Sequence, residues 1–323
     1  MQFARKILPV LAMLLAGMVA GCSENEGVPG SFDRTLGVSG PVVLDLTTGA
    51  GNVKIAPGGS STVQIHGDFR VRMLPWENSG QRVKDVTDHP PIDQSGNLIR
   101  IGHDMLRGRN VVINYTIEVP QQTELRGVLG SGDLQVRGIH GPARITTGSG
   151  DVTAEQIGED VQGLSGSGDI HFIDIAGEAQ ATAGSGDLEF ANVQGSVRAH
   201  TGSGDITITR PAGSVDVGAG SGDITVKDAG GNLRLRTGSG DLMIDGNPAN
   251  SSYWDLRTSS GGVTLQVPQT ASFRFYAHST SGKIDTALPM VVEERPKHEL
   301  RARVGDGKAR IEVETSSGDI SVH

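Results

Sequence analysis

Seven Gly-Ser-Gly-Asp tetrapeptides end at Asp133, Asp151, Asp169, Asp187, Asp205, Asp223 and Asp241, each 18 residues from the next without an insertion. A fixed period near 20 residues marks stacked supersecondary units, each burying its apolar side against its neighbours. Looser copies flank the run at Gly49-Ala50-Gly51-Asn52, Ser259-Ser260-Gly261-Gly262, Thr280-Ser281-Gly282-Lys283 and Ser316-Ser317-Gly318-Asp319. After Asp241 the period slips by three residues. The chain holds 47 glycines but only 7 Phe, 3 Tyr and 2 Trp, so many tight turns fit it better than a large aromatic core.

One unit can be read by counting from each Asp. One residue on stand Leu134, Val152, Ile170, Leu188, Ile206, Ile224 and Leu242. Three residues on stand Val136, Ala154, Phe172, Phe190, Ile208, Val226 and Ile244, with mostly polar residues between. That alternation is a half-buried strand. Eight residues after Asp a glycine recurs at Gly141, Gly177, Gly195, Gly213 and Gly231, and a second alternating strand follows it. Glycine at this density disfavours helix by roughly 1 kcal/mol for each interior position. The expected fold is therefore all-β: a parallel β-helix, or β-solenoid, with 18-residue coils of two strands each. Parallel crossovers favour a right-handed coil. Seven coils stacked at strand spacing would span about 34 Å.

In the turn, the glycines are read as supplying positive φ, and each Asp as a cap on nearby turn amides. The parity of the second strand points Ser131, Ser149, Ser167, Ser185, Ser203, Ser221 and Ser239 inward. They would join Thr147, Ser165, Ala183, Thr201, Ala219 and Thr237 in a hydroxyl ladder at a narrow edge.

The N-terminus carries a different signal. Arg5 and Lys6 precede an apolar stretch from Ile7 to Val19, the pattern of an export signal. The stretch is shorter than the roughly 20 apolar residues a membrane span needs. Val19-Ala20-Gly21-Cys22 resembles the lipobox of bacterial lipoproteins, which implies cleavage before Cys22 and lipidation of its thiol. Cys22 is the only cysteine, so no intramolecular disulfide can form. Ser23 rather than Asp follows it, which in that family favours the outer membrane over the inner. The expected organisation is a signal peptide over 1–21, a lipidated tether over 22–35 and an irregular N-terminal β region over 36–128. A regular solenoid over 129–247 and irregular C-terminal coils over 248–323 complete it, with 75–96 an exposed charged loop. The irregular flanks would cap the sheet ends against edge-to-edge aggregation.

Tyr115-Thr-Ile-Glu-Val-Pro120 before the first repeat, the repeats themselves, and the closing Thr280-Ser281-Gly282-Lys283-Ile284 and Thr315-Ser316-Ser317-Gly318-Asp319-Ile320 resemble the bacterial adhesin-type β-strand-repeat family, whose function is unsettled. The resemblance covers residues 40–322 and implies a parallel β-helix of the cell envelope. It carries over no catalytic or binding residue.

The residues bear on several functions. A formal charge of −9 without a basic cluster argues against nucleic acid. Seven in-register carboxylates suggest a calcium-binding acidic β-roll. Here, however, only one edge of each coil is acidic, and Ca²⁺ takes six to eight oxygens. The seven aspartates are therefore read as a structural turn column, with no metal and no cofactor, and the β-roll is kept as the alternative. A polysaccharide-active β-helix enzyme is a further alternative. It lacks off-pattern acids paired with a basic residue, and His140, His171 and His200 show no fixed acidic partner. Arg144, Arg198, Arg234 and Arg236 fall on the outward side of the second strand as an interaction stripe. The leading expectation is a non-catalytic, monomeric, rigid rod in the cell envelope. It would be held to a membrane by its lipid and would present a surface to an envelope protein or glycan.

Overall fold

A computed structural model describes residues 27–72, 79–103 and 111–323. It is 61% strand and 3% helix, with long parallel sheets in a solenoid arrangement. The segment read as a signal peptide, and Cys22, lie outside the described residues.

Each regular coil contributes one strand to a first sheet and one to a second. Val152–Ile157, Ile170–Ile175 and Leu188–Val193 lie side by side in the first. Val161–Ser165, Ala179–Ala183 and Val197–Ser203 do so in the second. Register is kept along the whole run: Val152 pairs with Ile170, Ile170 with Leu188, Leu188 with Ile206 and Ile206 with Ile224, always in parallel. Equal coil length forces this, because a one-residue slip would turn each apolar row toward solvent.

The two sheets enclose a thin core. Phe172 and Phe190 stack edge-to-face with centroids 5.7 Å apart, both fully buried. Their bulk is accommodated by small residues across the core: Gly163 would place a Cβ 2.8 Å from the Phe172 ring, and Ala181 and Ala199 are buried beside it in the same row. Trp254 closes the regular run, its indole N–H donating to the Gly231 carbonyl at 2.8 Å.

At the second turn the backbone departs from simple alternation. Gln156, Asp174, Asn192, Arg210 and Asp228, five residues after each Asp, sit at φ 52–58°. One left-handed residue inverts the parity, so the next side chain points inward. Ile139, Ile157, Ile175, Val193 and Ala229 accordingly form a third buried row. The recurring glycines of this turn do not need positive φ. They are required by close stacking: a Cβ on Gly231 would lie 2.8 Å from the Gly213 carbonyl oxygen.

The same correction applies to the Gly-Ser-Gly-Asp corner. Of its glycines only Gly132, in the first coil, has a φ in the left-handed range, at 118°. The others pass so near the coil beneath that a Cβ would strike it; on Gly202 it would stand 2.6 Å from the Gly184 carbonyl oxygen. The corner serines are exposed rather than inward. The row two residues earlier is buried, but its hydroxyls form no continuous ladder: those of Thr147 and Ser165 have no hydrogen-bond partner. Thr201 donates to the Gly186 carbonyl at 3.0 Å, and Thr237 to that of Gly222 at 2.9 Å.

At both ends the spatial order of coils departs from sequence order. Strand Val42–Ala50, not Val111–Val119, packs beside the first regular coil. The last coil, Ala309–Thr315 with Ile320–Val322, is inserted inside Phe273–Ser279 and Ile284–Thr286. Two further departures occur near the N-terminus. Residues 28–35, placed in the tether by sequence, belong to strand Val28–Gly37, antiparallel to Thr62–Val71 and with its Phe32 buried. Within the expected loop over 75–96, Ser79–Asp88 is an α-helix and Ile92–Ser95 a short strand. Val83 and Val86 turn that helix toward the core, and Arg34 donates to the carbonyls of Thr87 and Asp88 at 3.1 and 3.0 Å. The helix thereby shields the edge strand Val28–Gly37, one of the devices that keep a sheet edge from pairing with another chain.

Candidate functional site

The acidic corners form one continuous backbone-capping ladder. Oδ1 of Asp133 accepts the amide N–H of Asp151 at 3.1 Å. The pattern repeats from Asp151 to the amide of Asp169 at 3.0 Å, and from Asp169 to Asp187, Asp187 to Asp205 and Asp205 to Asp223 at 2.8 Å each. Asp223 holds the amide of Asp241, and Asp241 that of Gly262, both at 2.7 Å. Each carboxylate thus caps the next coil's corner rather than its own. Asparagine serves equally well at the N-terminal end, where Asn114 accepts from the amide of Asn52 at 2.8 Å and Asn52 from that of Asp133 at 3.0 Å. Gly262 has no side chain and interrupts the series. It resumes where Asp319 accepts from the amide of Lys283 at 2.8 Å. The carboxylates are solvent-facing, and among the described residues no group of three or more His, Cys, Asp or Glu side chains is arranged to hold a metal ion.

The proposed arginine stripe is not a free cationic surface. Arg144 reaches Glu124 at 3.5 Å, Arg198 pairs with Glu178, and Arg234 reaches Asp216 at 3.5 Å. Parallel stacking makes these partners: Asp216 lies directly in register with Arg234, while Glu124 and Glu178 stand two positions off in the coil before Arg144 and Arg198. Arg236 belongs to a different outward row, paired in register with Gly218 and Arg257. Among the histidines, His171 does have an acidic partner, Glu189 at 3.0 Å in the next coil.

The strongest charge cluster lies where the period slips, and sequence reading missed it. Asp255 is 7% exposed, whereas Arg234 and Asp216 in the same outward row remain about half exposed. Arg257 holds its Oδ1 at 2.6 Å, while Arg236 and Arg234 approach Oδ2 at 3.3 and 3.9 Å. The guanidinium pKa of Arg257 is raised, first by its hydrogen bond to Asp255, against a smaller opposing effect of burial. Beside it Tyr253 hydrogen-bonds Glu312, which is the main reason its hydroxyl pKa is pushed up to about 12. Two shallow hollows of about 460 and 450 Å³ flank the cluster and share Arg236 and Thr237. The first exists because Gly218 leaves a gap between His200 and Arg236; the second is lined by Arg257, His278, Glu314 and hydroxyls. The signal that could have revealed the cluster is the three-residue slip itself, which places an acid in the outward row that the regular coils fill with arginine, glutamine and one exposed aspartate.

Comparison with curated proteins finds no match. Among solved structures, the chain is similar to a candidate lipid-binding protein from Parabacteroides distasonis, at 11% identity, covering 91% of this chain and 97% of that one with a TM-score of 0.40. A candidate adhesin from Parabacteroides merdae matches at 10% identity, 92% and 98% coverage and a TM-score of 0.30. A candidate cell adhesion protein from Clostridium sporogenes matches at 13% identity, 91% and 99% coverage and a TM-score of 0.20. The family model described as Toastrack DUF4097 matches twice, over residues 116–226 and 212–323, spanning the regular coils and the C-terminal end; the chain belongs to the Toastrack DUF4097 family.

Proposed function

We propose that this protein is a non-catalytic scaffold of the cell envelope: a monomeric β-solenoid rod, tethered through lipid on Cys22, that presents its sheet faces to an envelope protein or glycan. The observation that carries the reading is the constant register of the regular coils from Val152 to Ile224. It makes the rod stiff and aligns outward side chains in continuous rows, which suits display over a long surface. The polar groups most suggestive of chemistry, the seven corner aspartates, spend one oxygen each on capping the neighbouring coil. The outer membrane is the favoured site, by the residue that follows Cys22.

Two measurements test this. Cys22→Ser should move the protein from the membrane fraction to the soluble fraction; retention in the membrane would refute the lipid tether. Capture from envelope extract on the immobilised rod should recover a partner that competes with added rod. Recovery no greater than on an unrelated solenoid would refute the scaffold reading.

A further inference from the structure

Near the C-terminal end of the second sheet, three arginines stand side by side on adjacent strands. Arg274 lies directly opposite Arg310 in parallel pairing and directly opposite Arg303 in antiparallel pairing. Like charges in direct cross-strand register destabilise a sheet, so an arrangement of this kind calls for a counter-charge. The protein supplies it unevenly. Arg310 is neutralised by Glu312 and stands 5.7 Å from the centre of the Tyr253 ring. Arg303 donates to the Gly305 carbonyl at 3.3 Å and comes only within 3.9 Å of Glu293. Arg274, in the middle and exposed, has no hydrogen bond or ion pair among the described residues.

The side chains also converge. Gly307, at φ 69°, leaves a space in which a Cβ would sit 3.1 Å from Cγ of Arg274 and 3.0 Å from Cδ of Arg303. Both aliphatic stems therefore run over the same glycine. Unlike the stripe arginines, each of which faces an acid, this pair has its nearest carboxylate at the edge of ion-pair range.

We propose that Arg274 and Arg303, flanked by Arg310, bind a phosphate-type oxyanion, either free or carried on a lipid headgroup. The planar guanidinium fork matches such oxygens in bidentate fashion, and bonds between ionised partners are the stronger kind. The proposal deepens the scaffold reading, on which it rests for its biological setting, by naming a chemistry and a place on the rod.

The test uses the full-length protein with inorganic phosphate in equilibrium dialysis against chloride at matched ionic strength. Short-chain phosphatidic acid, with short-chain phosphatidylcholine as control, separates the two sources. Saturable phosphate binding is expected, weakened about tenfold in Arg274→Gln, the loss that goes with one charged hydrogen bond. Arg144→Gln, at an arginine already paired with Glu124, should bind as the parent does. Because Arg274→Gln relieves repulsion, its unfolding midpoint should not fall, so lost binding cannot be ascribed to unfolding. Tighter binding of phosphatidic acid than of phosphate assigns the site to a headgroup, and equal binding assigns it to a free oxyanion. Absence of saturable phosphate binding, or binding unaltered by Arg274→Gln, overturns the site. Failure of envelope capture with phosphate binding intact removes the scaffold reading and leaves the site standing.

Discussion

If the corner aspartates act as acceptors for the next coil, the acceptor oxygen stabilises the corner and the charge does not. Asp187 lies mid-ladder, holding the amide of Asp205 at 2.8 Å while its own amide is held by Asp169 at 2.8 Å. Asp187→Ala removes one acceptor from an amide at an exposed corner, where water can partly replace it. The expected cost is about 1 kcal/mol, the net value of a typical hydrogen bond. Asp187→Asn keeps the Oδ1 acceptor and deletes a charge repelled by carboxylates one coil away on either side. At strand spacing in water-like dielectric, each repulsion amounts to roughly 0.9 kcal/mol before salt screening. Asn should therefore match or exceed the parent in stability, as its use at Asn52 and Asn114 already indicates. Because a solenoid can open locally, the assay is hydrogen exchange at the Asp205 amide together with thermal unfolding, each with and without chelator. Faster exchange in the Ala variant only, indifferent to chelator, is the predicted pattern. An Asn variant as unstable as the Ala variant, with calcium-dependent melting in the parent, would refute amide capping and favour a cation column.

Three further outcomes follow from the geometry. Gly202→Ala places a Cβ 2.6 Å from the Gly184 carbonyl oxygen, a backbone atom that cannot swing aside, and should lower stability by about 1–3 kcal/mol in thermal or denaturant unfolding. Asp255→Ala leaves Arg234, Arg236 and Arg257 without their shared carboxylate and should cost about 2 kcal/mol, less than a fully buried pair because the guanidinium groups keep contact with water; a loss under 0.5 kcal/mol, read by the same assay, would contradict the role given to Asp255. His66 lies between Asp33 at 2.8 Å and Asp68 at 3.2 Å, and the hydrogen bond to Asp33 is the main cause of its raised pKa. Its contribution to stability is thus fully present below about pH 6.5 and is lost as pH rises through the higher folded value. His66→Gln should flatten that decline, as followed by hydrogen exchange in strand Val28–Gly37.

The regular coils were legible because two physical regularities coincide in them. Equal spacing fixes the stacking, and apolar residues one and three after each Asp fix the inward side; Phe172 and Phe190 are buried as that parity requires. Parity fails wherever the backbone leaves the extended region. The left-handed residue at the second turn is Gly138 in the first coil but Gln, Asp, Asn, Arg and Asp in the five that follow, so no recurring glycine marks it, and the buried row from Ile139 to Ala229 lies one position out of phase with the alternation. The partners of the arginine stripe were hidden for another reason: Glu124 and Glu178 are each 20 positions from their arginines, a separation meaningful only once coils are stacked.

The ends resist sequence reading because their strand order is set by closure rather than by period. An open stack of equal coils offers a template at either end to any chain of the same register. Here the outermost elements break that register. At one end a helix covers Val28–Gly37, and at the other the antiparallel strand Glu299–Val304 replaces the parallel pairing. Threading the last coil beneath Phe273–Ser279 makes removal of the cap require disruption of an interior coil as well. That same insertion sets Arg310 beside Arg274, and the antiparallel cap strand sets Arg303 on its other side. The feature that ends the stack is therefore also the one that creates the row of like charge, which no reading of a single repeat could have contained.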